Sequence, residues 1–112
     1  MKPGKLDLPT IWRGCDYAAI TFIWKNQDGT PFDLTGWTPF AQSLNINLKP
    51  LVTDAPNGVT QIALSRIDTE NLRLGTESWD WIFQNIDGTT LPPLLAGQVT
   101  IKEPTTQAFV PP

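Results

Sequence analysis

The chain has no histidine, one cysteine, one methionine and one tyrosine, and only 17% of its 112 residues are charged. Each shortage removes a class of chemistry. Without histidine there is no imidazole to serve as a base, to activate Cys15 as a nucleophile, or to complete a His/Cys metal cluster. A lone cysteine forms no internal disulfide, which suits folding by core packing in a reducing cytosol, and Cys15 reads as a small apolar residue. Eight basic against eleven acidic residues give a net charge of −3, and the basic ones are scattered. That leaves no electrostatic footprint for a phosphate backbone, so no nucleic-acid partner is expected. No run approaches the ~20 apolar residues of a membrane span, and the N-terminus carries no apolar signal core, so no membrane partner is expected.

What the chain has is a globular core and turn signals. Hydrophobic residues make up 40%, with five Trp and five Phe, alongside 11 Pro and 8 Gly. At this length a single domain buries a real core. A charged share below the roughly 25% usual in soluble domains leaves a surface of Thr, Asn, Gln, Ser and Pro, suited to packing against other protein.

The stretch Ser78–Lys102 organises the rest. Trp79, Trp81 and Phe83 alternate with Ser78, Asp80, Ile82 and Gln84, so three aromatics share one face of a strand. Asp87-Gly88 suits a tight hairpin, and Gly97 opens a second run in which Val99 and Ile101 face one way. Further strands are predicted over Thr10–Trp12, Tyr17–Trp24, Trp37–Leu48 interrupted or bulged near Pro39, Leu51–Thr53 and Val59–Leu64. Apolar groups on both faces of Tyr17–Trp24 predict a central strand covered on each side, or one in a subunit contact. Arg66–Leu74 is the one helical piece, with Asp68 or Thr69 as cap, Ile67, Leu72 and Leu74 inward, and Gly75 as stop. Around a sandwich domain at 10–103 lie an extended arm at 1–9, either disordered or laid along a neighbour with its prolines and glycine favouring disorder, and a proline-rich tail at 104–112. The pattern gives an all-β domain with one short helical connector.

Two segments echo each other. Trp24-Lys25-Asn26-Gln27-Asp28-Gly29-Thr30 and Phe83-Gln84-Asn85-Ile86-Asp87-Gly88-Thr89 both follow an aromatic with Asn-x-Asp-Gly-Thr, and each leads to a Leu-x-Gly. Shared turn chemistry explains this; a hairpin repeated on opposite sheets is the sharper alternative.

Most carboxylates sit at turns or before glycine, where Asp bonds its own backbone, so a glycosidase pair is not expected. Asp28 and Asp33 lack calcium-loop spacing, and no phosphate-cradling glycine motif occurs. No enzyme activity and no cofactor are expected. Trp24, Trp79 and Trp81 belong to alternating core faces, while Trp12 and Trp37, beside glycines at strand ends, are freer to anchor an interface. Sugar stacking on exposed tryptophans is the alternative from another class, a carbohydrate-binding module, in which Trp37→Ala would abolish glycan binding.

The order Arg13-Gly14-Cys15-Asp16, Asp28-Gly29-Thr30-Pro31-Phe32-Asp33-Leu34-Thr35-Gly36-Trp37, Asn57-Gly58-Val59 through Leu64, Trp79-Asp80, and Asp87-Gly88 to Leu95-Ala96-Gly97-Gln98-Val99 covers nearly the whole chain. It resembles the N-terminal domain of baseplate upper proteins and related tail-fibre adaptor and neck proteins of tailed bacteriophages. The resemblance implies an immunoglobulin-like antiparallel β-sandwich that anchors a fibre or neighbouring subunit to the virion, in multiple copies, after assembly in the host cytoplasm. The implied partners are other virion proteins of the tail, baseplate or fibre; capsid decoration is a close variant. The expected contact residues are Leu6, Leu8, Ile11 and Trp12 of the arm, Trp37, and Phe109 and Val110 of the tail.

Overall fold

The alternating aromatics of the central stretch are inaccessible to solvent: Trp79, Trp81 and Phe83 are 2%, 0% and 0% exposed. In the computed structural model, which describes residues 4–105, they line the inner face of β7 (Gly75–Asn85). This strand pairs antiparallel with β8 (Leu95–Lys102) on one side and with β4 (Trp37–Ser43) on the other. Opposite them a second sheet takes the order β3 (Tyr17–Ile23), β6 (Val59–Leu64), β5 (Leu51–Asp54). Thr60, Ile62 and Leu64 of β6 point inward, as their alternation requires. The two sheets, β4-β7-β8 against β3-β6-β5, form an all-β sandwich in the immunoglobulin-like order.

The centre of the core is aromatic. Trp81 meets Phe22 and Trp24 at centroid distances of 5.1 and 5.2 Å, and Trp24 stands edge-on to Phe83 at 5.2 Å. Such tilted and edge-on pairs add to the apolar burial that holds the sheets together. Trp24 Nε1 donates to Thr60 Oγ1 (2.9 Å), which accounts for a threonine in the core.

One departure from an antiparallel sandwich concerns the N-terminus. Residues 4–9, expected as an extended arm either disordered or laid along a neighbour, lie along β8 of their own domain. The strands β1 (Gly4–Lys5) and β2 (Ile11–Trp12) both pair parallel with β8. Between them Leu6 N–H and Leu8 N–H donate to the carbonyls of Ala96 and Gln98, each at 2.9 Å. Leu8 and Ile11 enter the core, and Trp79 Nε1 donates to the Leu6 carbonyl at 3.0 Å. The approach depends on Gly97, because a Cβ there would stand 1.8 Å from the Leu6 oxygen. Glycine at 97 lets one backbone lie across another.

The arm's position changes β3. In the usual order a first strand would flank it; here, among the described residues, it borders β6 alone and is an edge strand. The expectation of a central, doubly covered strand is corrected accordingly. Its register against β6 shifts between Tyr17 and Ile20, and beyond that bulge Ile20, Phe22 and Trp24 face the core while Ile23 is 62% exposed.

Three other expectations change in detail. No bulge occurs at Pro39, which pairs regularly with Phe83. Leu48 N–H donates to the Ala41 carbonyl on the side away from β7, so by alternation Pro39's missing N–H also belongs to that side and costs β7 nothing. The strand ends at Ser43 and the chain folds back over 44–48, burying Ile46 and Leu48 but leaving Leu44 exposed. The helix α1 is one turn, Arg66–Thr69, capped by Ser65 in a reciprocal box with Asp68; Ile67 and Leu74 lie outside, and Thr69 is the buried residue.

The echoed segments fold alike, bond for bond. Asn26 and Asn85 N–H donate to the carbonyls of Thr30 and Thr89, Gly29 and Gly88 N–H to those of Asn26 and Asn85, and Phe32 and Leu91 N–H to those of Trp24 and Phe83. One hairpin leaves β3 and the other β7, so each sheet contributes one. The Leu-x-Gly pieces are not equivalent: Gly36 turns at φ 82°, while Gly97 lies within a strand.

Candidate partner-binding surface

The carboxylates serve the loops. Asp28 and Asp33 each accept from the hydroxyl and the N–H of the threonine two residues on, and Asp87 accepts from the Thr89 N–H. These bonds favour the charged form and hold all three below the usual carboxylate range. Lys49, with the Ser65 N–H, draws Asp68 down to about 2. Glu77 accepts from Ser43 Oγ (2.6 Å), Asn45 Nδ2 (2.9 Å) and Asn45 N–H (3.1 Å), tying the β4 turn to β7 and lowering its own pKa. Among the described residues no three His, Cys, Asp or Glu side chains gather as a metal site. Cys15 is exposed rather than packed, in the turn after β2.

The expected contact residues scatter. Leu8 and Ile11 are core and therefore unavailable to a partner; Leu6 is half-buried under the arm's crossing of β8. Trp12 is 43% exposed, with Lys102 Nζ 6.0 Å from its ring centroid. Trp37 is half-buried, edge-on to Phe32 at 6.1 Å. Through the ladder Trp12 neighbours the Gly75 end of β7 and Trp37 its Asn85 end, about 30 Å apart at ~3.3 Å per residue. They do not form one platform. Phe109 and Val110 lie outside the described residues.

A continuous surface is offered by the outer face of the five-stranded sheet. Cross-strand partners share a face, so Ile82 of β7 lies beside Phe40 of β4, and Asp80 lies between Gln42 and Ala96. Thr76 and Thr100 bond through their hydroxyls at 2.9 Å. Over β4, β7 and β8 the formal charges facing out on this side are Asp80 and Lys102, while Lys5 of β1 shares the face of Ala96 and Asp7 accepts from the Gln98 N–H beside it; Phe40 and Ile82 lie together towards the β4 edge amid Thr, Ser and Gln. No protein-family model matches the chain, and no curated protein matches it. The surface must therefore be read on its chemistry.

A face with so few charges sheds little hydration when covered, and its Phe–Ile pair gains from leaving water. Phe40 and Ile82 were not among the expected contacts. The signal lay in the alternation itself, which set Ile82 with Ser78, Asp80 and Gln84 on the side away from the aromatics.

Proposed function

We propose that this domain is a structural assembly module that joins protein subunits, acting as a bacteriophage tail or baseplate adaptor. The observation that carries the assembly part is the outer face of β4-β7-β8, which has few charges and bears the Phe40–Ile82 pair. Protein interfaces have the same make-up, with charge depleted at the centre and aromatic groups retained. The virion setting comes from the ordered turn motifs that resemble phage baseplate and adaptor domains, and it is analogy from fold and motif. In this reading the domain acts by docking: the flat face covers a neighbouring subunit, and the arm's pairing with β8 keeps that sheet rigid.

Antibody labelling of particles from the phage that encodes the chain tests the proposal, on intact and on dissociated particles. Label at the tail end supports the adaptor reading. Label over the head moves the same module to capsid decoration, and no label in either preparation overturns the virion assignment.

A further inference from the structure

We infer that β3 is a second, self-complementary docking site, and that its occupant is the β3 of another copy of this chain, paired antiparallel. Because the N-terminal strands pair with β8, one edge of β3 has no partner strand among the described residues. Trp24 N–H donates to the Gly58 carbonyl on the β6 side, so by alternation the backbone groups of Ile20 and Phe22 also face β6. Those of Thr21 and Ile23 point outward, a short row of donors and acceptors suited to one more strand.

Edge strands are usually blunted by lysine, proline or inward charge. Tyr17–Ile23 carries none of these; its one protection is the bulge before Ile20. Beside the open edge runs a largely apolar cleft of about 290 Å³, lined by Leu6, Phe22, Ile23, Trp24 and Leu95 with Lys5 as its one charged residue.

Charge selects both the occupant and its direction. The uncharged strand is flanked by Asp16 at its start and Lys25 just after its end. Antiparallel pairing of two copies about a two-fold axis beside Thr21 brings each Lys25 to the other copy's Asp16. Parallel pairing would set like charges together. In this register Thr21 faces Thr21, and Ile20 of each copy faces Phe22 of the other on the inner side, extending the apolar cleft across the axis. The two β3-β6-β5 sheets become one continuous six-stranded sheet. The inference deepens the assembly reading, yet the two fail separately, because particle labelling does not depend on β3 and association in solution does not depend on particles.

One strand pair is a small interface, so association falls in the range of transient contacts, between about 10 μM and about 1 mM. Sedimentation equilibrium over that range, with NMR spectra of the same samples, tests it on the whole chain. The expected result is a monomer–dimer equilibrium in which the Thr21 and Ile23 amide resonances move with concentration and that of Phe22 moves much less. Thr21→Pro removes an outward donor while leaving the bonds to β6, and should weaken the dimer at least tenfold. Lys25→Glu should weaken it several-fold at low salt, and the loss should shrink as salt screens the pair. A monomer throughout the range overturns the inference without recourse to any variant. So does a dimer whose Thr21 and Ile23 amides keep their monomer positions.

Discussion

Replacing Gly97 with alanine should be among the most destabilising single-methyl additions in the domain. The new Cβ would lie 1.8 Å from the Leu6 carbonyl oxygen and 2.5 Å from its carbon, and backbone cannot yield as a side-chain tip does. The arm must lift from β8. Lifting exposes Leu8, worth about 1.5–3 kcal/mol of burial, and deprives the buried Trp79 indole of its acceptor, at about 1–3 kcal/mol. Release of the arm returns chain entropy and offsets part of this, so a net loss of about 2–4 kcal/mol is expected from a total that is typically ~5–15 kcal/mol. Equilibrium urea unfolding measures it. Deleting residues 1–9 removes the oxygen that the methyl strikes, and in that background the same substitution should cost under about 0.5 kcal/mol, as a double-mutant cycle requires for coupled sites. A loss under about 0.5 kcal/mol in the full chain, or an equal loss in both backgrounds, would refute the arm's docking as the reason for this glycine.

Three other outcomes follow from the same geometry. Trp79→Phe should destabilise more than Trp81→Phe by about 1 kcal/mol or more in urea unfolding, because the first strands the Leu6 carbonyl while the second removes a buried Nε1 with no hydrogen-bond partner; the reverse order would contradict this assignment. Tyr17, the chain's one tyrosine, is pushed up to about 12 by burial, with its hydroxyl donating to the Pro9 carbonyl at 2.7 Å. Its contribution to stability is complete below the unfolded value near 10 and is lost as pH rises towards 12, so ultraviolet titration should show one late step that moves to about 10 in urea. At the acid end, Asp28, Asp33, Asp68, Asp87 and Glu77 are all lowered, so their contributions are present above about pH 4 and disappear as pH falls through the folded values, with Asp68 persisting to about 2. A Tm unchanged from pH 5 to pH 2 would count against the turn bonds.

The aromatic alternation of Trp79, Trp81 and Phe83, the strand over Val59–Leu64 and both Asp-Gly hairpins could be read directly from residues, because period-2 burial and positive φ leave local marks. Edge or centre was not legible in that way. Tyr17–Trp24 carries apolar groups on both sides, and only the arm's choice of β8 over β3 decides which neighbour the strand lacks. That choice rests on a long-range contact, Gly97 beneath Leu6, and a glycine inside a strand pattern does not name what approaches it. The same blindness misplaced Leu8 and Ile11 among the contacts, although their burial against β8 makes them core. Trp12 and Trp37 share a residue type and a place beside glycine, but sequence did not disclose that β7 holds them at opposite ends.

The proposal that the outer sheet face docks a subunit is tested most directly by exchanging its Phe–Ile pair for charge without disturbing the fold. Phe40→Lys with Ile82→Glu keeps an attractive cross-strand pair while placing two charges on the face. Supplied in trans to phage lacking the native copy, the doubly substituted chain should fold with nearly unchanged Tm yet be at least tenfold depleted from purified particles relative to wild type. Incorporation at the wild-type level would contradict docking through this face.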